Sequence, residues 1–151
     1  MPELPEVRRY ADFLRSSFAS KAVAQVTVLG GRYLESPIPG LAEFQKELPL
    51  KVSLVKTKGK FLYWAFDNEW SLWNSLGMSG AWRNTTDKHA VIKIEADVSV
   101  FFIDPRHFGT LKFVKGQAKL ESKLKTLGPD LMDEPLEKTD FAARLRKKGK
   151  V

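Results

Sequence analysis

Apolar residues along this chain recur first at helical spacing and then at strand spacing. Val7, Ala11, Leu14 and Phe18 share one helical face, with Arg8, Arg9, Asp12 and Arg15 on the others. Pro5 suits a first helical turn, where its missing N–H costs nothing. The pattern predicts one amphipathic helix over about residues 5–19. From Val23 the texture becomes β. A short apolar run, Val23 to Val28, ends at Gly30-Gly31, and Pro37-Ile38-Pro39-Gly40 reads as a turn or loop. Leu41 to Leu48 fits a short helix or an irregular edge. Lys51 to Phe66 fits one or two strands, and Asp67-Asn68-Glu69 is a tight connection into a strand from Trp70 to Leu76. Gly77-Met78-Ser79-Gly80 breaks that strand. Ala90 to Glu95, Val98 to Ile103 and Thr110 to Val114 are further strands, with a turn at Asp97 and a loop at 104–109.

Short strands with turns every 8–12 residues behind one helix predict a mainly β fold with α. Its form would be a two-layer antiparallel β-sandwich with an N-terminal helix at one end. After Gly128-Pro129-Asp130 the texture changes. Asp133-Glu134-Pro135 reads as a linker, and Thr139 or Asp140 can cap a C-terminal helix through Phe141 and Leu145. The organisation expected is a domain over 1–131 and, over 132–151, a linker with the first helix of a further domain that this chain does not contain.

Composition narrows the classes. The 151 residues are 43% hydrophobic, enough for an ordinary core, yet no run approaches the ~18 apolar residues of a membrane span. Charged residues interrupt any signal-peptide pattern at the N-terminus. There is no cysteine, so disulfides and thiolate metal sites are excluded, and two histidines do not make a structural zinc site. A soluble intracellular protein, cytoplasmic if bacterial, is the expectation. The net charge is +7, but residues 141–151 hold five basic and no acidic residues, leaving +2 on the other 140. Bulk charge is therefore weak evidence for a polyanionic partner. The concentration at Lys51, Lys56, Lys58 and Lys60 says more.

Four segments carry candidate chemistry. The first is Met1-Pro2-Glu3-Leu4-Pro5-Glu6-Val7. Once Met1 is removed, Pro2 is a secondary amine beside a carboxylate. An α-amino group titrates near pH ~8, so a useful fraction is neutral and nucleophilic at pH 7. Attack on a sugar aldehyde carbon gives an iminium, an electron sink for covalent catalysis. The bland alternative is that Pro2 is a common second residue and Glu3 and Glu6 favour a helix start. The second segment is Lys58-Gly59-Lys60 at the entrance to an apolar strand, where glycine admits a close backbone and lysines suit phosphate. Against it stands a solvated strand end. The third is Leu76-Gly77-Met78-Ser79-Gly80, with a long apolar side chain at the tip of a turn. Met78 either folds back onto the sandwich or is offered outward as a wedge, of the kind inserted where a base is extruded from a duplex. The fourth is Asp104-Pro105-Arg106-His107-Phe108-Gly109. On extended backbone Arg106 and Phe108 point the same way, one to hydrogen-bond an orphaned base and one to stack on it. The alternative is an Arg106–Asp104 ion pair.

In this order the four segments resemble the amino-terminal domain of the formamidopyrimidine-DNA glycosylase/endonuclease VIII family of DNA repair enzymes. Leu127-Gly128-Pro129-Asp130 resembles the segment that leaves that domain, so the resemblance covers about residues 2–131. It implies base excision of oxidised bases, purines favoured, followed by AP lyase cleavage. Pro2 would be the nucleophile at C1′ of the damaged nucleotide, Glu3 the general acid/base, Glu6 a support of the site and Lys60, with Lys58 beside it, a contact to the phosphate next to the lesion. Met78, Arg106 and Phe108 would fill the gap left by the flipped base, and His89 would touch DNA. Damaged double-stranded DNA would be the partner of a monomer, with no membrane role. No cofactor would sit in this chain, because the family's zinc finger would lie beyond Val151. Ser75 stands where many members carry histidine, and His107 where a second arginine is common. Two other readings remain open: a non-catalytic DNA-damage-binding domain of the same fold, and an amino-terminal-proline enzyme acting on a small keto acid, which the meandering β texture disfavours.

Overall fold

Periodicity at the N-terminus becomes helix α1, Leu4–Phe18, whose buried residues are Val7, Ala11, Leu14 and Phe18. The computed structural model describes residues 2–128. Nine strands follow in two antiparallel sheets. The larger has the order β1 (Ala22–Val23), β3 (Leu50–Lys58), β4 (Phe61–Phe66), β5 (Trp70–Ser75), β9 (Thr110–Lys115). The smaller has the order β2 (Gln25–Val28), β7 (Ala90–Glu95), β8 (Ser99–Ile103), β6 (Ala81–Arg83). The two-layer antiparallel fold with a leading helix is thus present. The expected C-terminal helix beyond Thr139 lies outside the described residues.

Several elements differ from the sequence reading. The run Val23 to Val28 is two strands, because the chain crosses from one sheet to the other at Ala24. Lys51 to Phe66 is likewise two strands, so Lys58-Gly59-Lys60 is the tip of a β3–β4 hairpin rather than only a strand entrance. Gly59 holds φ +60 there, a conformation that glycine adopts without penalty. Strand β6, a 3-10 turn at Gly31–Leu34 and helix α3, Gln117–Thr126, have no counterpart in the pattern reading. Three-residue β6 is too short to show a period. In α3 only Leu120 is buried, so its apolar face is one residue deep. The segment Leu41 to Leu48 resolves as helix α2, Leu41–Lys46.

The core lies between the sheets. Leu62, Trp64 and Phe66 point inward from β4, and Trp64 meets Phe18 of α1 edge-on at 5.1 Å and Trp82 of β6 at 5.5 Å. Helix α2 closes one end. Its Phe44 sits among Phe66, Trp70 and Phe113 at centroid distances of 4.9, 5.4 and 4.5 Å. The opposite end carries the turns and loops on which most of the candidate residues lie.

Candidate active site

Strand register decides which loops share that open end. Phe61 pairs with Ser75, and Ser75 with Thr110, so the β3–β4 tip, the turn after β5 and the loop before β9 leave the larger sheet on one edge. In the smaller sheet Ile103 pairs with both Ala81 and Ala90, which brings the start of β6, the end of β8 and the start of β7 together. Segments 58–60, 77–80, 84–89 and 104–109 therefore emerge side by side.

Helix α1 brings the N-terminus to the same edge. The Val52 N–H donates to the Lys21 carbonyl at 3.0 Å, and Arg15 donates from Nε and Nη2 to the Val55 carbonyl at 3.2 and 3.0 Å. The helix thus runs antiparallel to β3, and its first turn lies toward Lys58. From Arg15 back to Glu3 is ~18 Å of helix. From Val55 to Lys58 is only ~10 Å of strand. The start of α1 accordingly lies toward the end of β3 that carries the hairpin tip. Pro5 fits the first turn of the helix, and Glu6 secures the start: the Glu3 N–H donates to Glu6 Oε1 at 3.0 Å, and the Glu3 carbonyl accepts from Glu6 and Val7 N–H at 2.9 and 3.0 Å. Glu3 and Glu6 form a reciprocal capping box at the helix end, with Glu3 exposed and Pro2 half-buried.

The turn at 77–80 and the loop at 104–109 form one unit, organised by Ser79, which sequence reasoning had not singled out, and by Asp104, read there only as an ion-pair partner of Arg106. Asp104 is 2% exposed. Its Oδ1 accepts from Ser79 Oγ at 3.0 Å and its Oδ2 from the Gly109 N–H at 2.8 Å. Ser79 Oγ in turn accepts from the Arg106 N–H at 3.1 Å. The Asp104 N–H donates to the His89 carbonyl at 3.1 Å, which ties in the third loop. Gly77, at φ +64, lies so close to the other loop that an added Cβ would fall 2.6 Å from Gly109 N and Phe108 C. Arg32 closes the outer side by donating to the Gly109 carbonyl at 2.7 Å. A Ser two residues after a Gly, facing a buried loop Asp, was the available signal, but the pairing is non-local.

This construction answers the alternatives left open at Asp104 and Met78. The Asp104 carboxylate faces Ser79 and Gly109, and no Arg106–Asp104 ion pair exists among the described residues. Met78 is 47% exposed and Phe108 60% exposed, so neither folds into the core. Extended backbone does not align Arg106 with Phe108, because His107 between them has φ +61. Both side chains are nonetheless exposed. Lys60 is exposed at the hairpin tip, Lys58 is half-buried, and His89 is half-buried where β7 begins. One edge therefore offers Pro2 with the exposed Glu3 carboxylate, lysines at a glycine turn, and two apolar tips on a braced platform. That inventory suits covalent chemistry on a polyanion whose stacked interior must be entered. Among the described residues no group of three or more His, Asp or Glu stands close enough to share a metal ion, and no described helix is long and apolar enough to cross a membrane.

Comparison with known proteins shows the family. A family model described as "Formamidopyrimidine-DNA glycosylase N-terminal domain" matches residues 1–111. A formamidopyrimidine-DNA glycosylase of Acidiphilium cryptum is 31% identical over 98% of this chain and 55% of its own length. One from Listeria monocytogenes is 28% identical over the whole chain and 58% of its own length. Among solved structures, the MutM (Fpg) protein of Thermus thermophilus superposes with a TM-score of 0.70 at 30% identity, covering 90% of this chain and 48% of that one. Lactococcus lactis Fpg in complex with DNA containing N7-benzyl-Fapy-dG also scores 0.70, at 23% identity over 82% of this chain and 48% of that one, a likeness of fold. The chain spans about half the length of the relatives it matches.

Proposed function

The chain belongs to the formamidopyrimidine-DNA glycosylase family, through its N-terminal domain, and from that premise we propose that residues 1–131 are the catalytic domain of a base-excision-repair glycosylase/AP lyase acting on oxidised bases in duplex DNA. The observation that carries the reading is the shared edge: the start of α1, the Lys58-Gly59-Lys60 tip and the braced 77–80 and 104–109 loops all leave the sandwich on one side.

Each residue then has a chemical task. With Met1 removed, the Pro2 nitrogen attacks C1′, the damaged base departs with its bonding electrons and a proton, and the sugar ring opens as its oxygen takes up a proton. Glu3, exposed beside Pro2, delivers and removes those protons. The product is an iminium between Pro2 and C1′. Loss of a C2′ proton into that electron sink expels the 3′ phosphate, and water then releases the sugar from proline. Glu6 holds the Glu3 backbone and so fixes where the amine points. Lys60, with Lys58, neutralises the phosphate beside the lesion. Met78 and Phe108 enter the space vacated by the extruded nucleotide, Arg106 hydrogen-bonds the unpaired opposite base, and His89 adds a contact to the strand. The protein works as a monomer on damaged DNA inside the cell, with oxidised purines favoured, and no step of this scheme passes through a metal or cofactor held by residues 2–128.

Borohydride trapping on abasic-site duplex at low salt tests the scheme. A covalent adduct is expected from protein whose intact mass lacks Met1, a slower one from Pro2→Gly, whose primary amine still forms an imine, and none from a variant with an N-terminal extension. An adduct unchanged by both alterations overturns the proline mechanism. Preferential binding to abasic DNA with no adduct, and Met1 retained, points instead to a non-catalytic damage-binding domain.

A further inference from the structure

The outer face of the larger sheet carries a second assembly that the N-terminal chemistry does not use. Strand register sets Lys56, Tyr63, Trp73 and Lys112 in one row across β3, β4, β5 and β9. These are outward positions, since Val55, Leu62, Trp64, Leu72 and Leu111 fill the inward ones. Helix α3 lies against β9 and adds Lys119 and Lys123. Two adjoining hollows of about 630 and 620 Å³, the first between helix and sheet and the second between the sheet and the 32–39 segment, share Pro39, Trp73, Lys112 and Lys123. One reaches Trp70 and Lys115. The other reaches Ser75 and Thr110, at the edge where the candidate catalytic loops emerge. Trp70 to Ser75 is a path of ~17 Å.

The charges in this groove are arranged on rings rather than on carboxylates. Lys112 Nζ stands 5.4 Å from the Trp73 ring, and Lys123 Nζ stands 5.4 Å from Phe61 and 5.9 Å from Trp73. Lys112, Lys119 and Lys123 form no ion pair among the described residues. Lys115 is paired with Glu47 at 3.2 Å, and Glu43 is the acidic residue lining the hollow. A partly buried indole between unneutralised ammonium groups on long flexible stems has the composition of a single-strand binding platform: the lysines swing to phosphates and bare a ring on which a base stacks. A sheet face bearing aromatics is a known geometry for that purpose, and it reads unpaired bases rather than a duplex.

We propose that this groove, from Trp70 and Lys115 to Ser75 and Thr110, binds single-stranded nucleic acid, with bases stacked at Trp73 and phosphates on Lys112, Lys119 and Lys123. The groove begins at the edge bearing Pro2 and runs away from it across the sheet, and its defining residues, Trp73, Lys112, Lys119 and Lys123, have no part in the chemistry proposed for that edge.

Anisotropy of fluorescein-labelled fifteen-residue oligo-dT and oligo-U, across a salt series, tests it on the chain itself. Salt-dependent binding is expected, with tryptophan fluorescence quenched. The double variant Lys112→Glu/Lys123→Glu should weaken oligonucleotide binding at least tenfold and lower the magnitude of the salt slope by about two. Trp73→Leu, with the charges intact, should cost at least about fivefold and remove most of the quenching. Abasic-duplex binding should stay within about twofold of the parent in both. Circular dichroism checks folding, and if Trp73→Leu does not fold, the lysine variant decides. The proposal is overturned if the double variant binds oligonucleotide as the parent does, if it loses abasic duplex to the same extent, or if Lys60→Ala and Arg106→Ala abolish oligonucleotide binding instead. Displacement of oligo-dT by poly-glutamate at equal charge, without quenching, would mark a general polyanion or acidic-protein surface and overturn it too.

Discussion

Ser79 donates its hydroxyl to the buried carboxylate of Asp104 at 3.0 Å, across 25 residues of sequence, and this bond makes the Met78 turn and the Arg106–Phe108 loop one body. Apolar tips that enter a base stack need a stiff mount, because a loose loop would collapse onto the sandwich and lose the wedge. Asp104→Ala would strand the Ser79 hydroxyl and the Gly109 N–H in a buried place. A loss of about 3 kcal/mol in urea unfolding is expected, since hydrogen bonds to an ionised partner are the stronger kind. Ser79→Ala should cost about 1–2 kcal/mol and lower lesion-duplex affinity more than affinity for undamaged duplex. Equal loss on both DNAs would remove the Ser79–Asp104 bond from the recognition step.

Met78 and Phe108 are exposed and so hold up little of the fold. Met78→Ala and Phe108→Ala should each leave unfolding within about 0.5 kcal/mol of the parent. Both should weaken binding to a duplex with an abasic or extruded site, read by competition against intact duplex. Unchanged discrimination would count against a wedge.

Glu6 has a positional role that separates two conservative changes. Its carboxylate accepts the Glu3 N–H at 3.0 Å. Glutamine also completes a capping box, while alanine does not. Glu6→Gln should therefore keep most of the borohydride adduct rate, and Glu6→Ala should lose much of it along with about 1 kcal/mol of helix stability. If Glu6→Gln is as slow as Glu6→Ala, charge rather than positioning is the role of Glu6.

Two glycines with positive φ should respond very differently to alanine. At Gly59 nothing lies within 4 Å of an added Cβ, so only the backbone conformation resists, at about 1–2 kcal/mol. At Gly77 the Cβ would meet backbone atoms of the facing loop at 2.6 Å. Gly77→Ala should cost about 3 kcal/mol or more and separate the two loops. Thermal unfolding of the pair checks this, and a milder effect at Gly77 than at Gly59 would contradict the close loop packing.

The amphipathic start shows which part of the protein is local. Val7, Ala11, Leu14 and Phe18 specify α1 by spacing, and all four are buried against the sandwich. The β-rich runs, their turns and the motif segments around Pro2, Gly59, Met78 and Arg106 are equally local, since each depends on residue types within a few positions. Helix α3 was not legible, because one buried leucine among lysines carries no periodic signal. Strand β6 was too short to read. The crossing at Ala24 was hidden because an apolar run looks alike whether it serves one sheet or two.

Local sequence thus specifies the chemical groups and the elements that bear them: a proline–glutamate helix start, a lysine–glycine turn and two apolar loop tips. Their meeting on one edge is a product of tertiary folding. It depends on the pairing of Phe61 with Ser75 and Ser75 with Thr110, on the antiparallel lie of α1 against β3, and on Asp104 choosing Ser79 and Gly109 over Arg106. Each of these is a contact between residues apart in sequence, set by packing and by the demand that buried polar groups be satisfied. The row from Lys56 to Lys112 is of the same kind, since four residues on four strands become neighbours only when register aligns them.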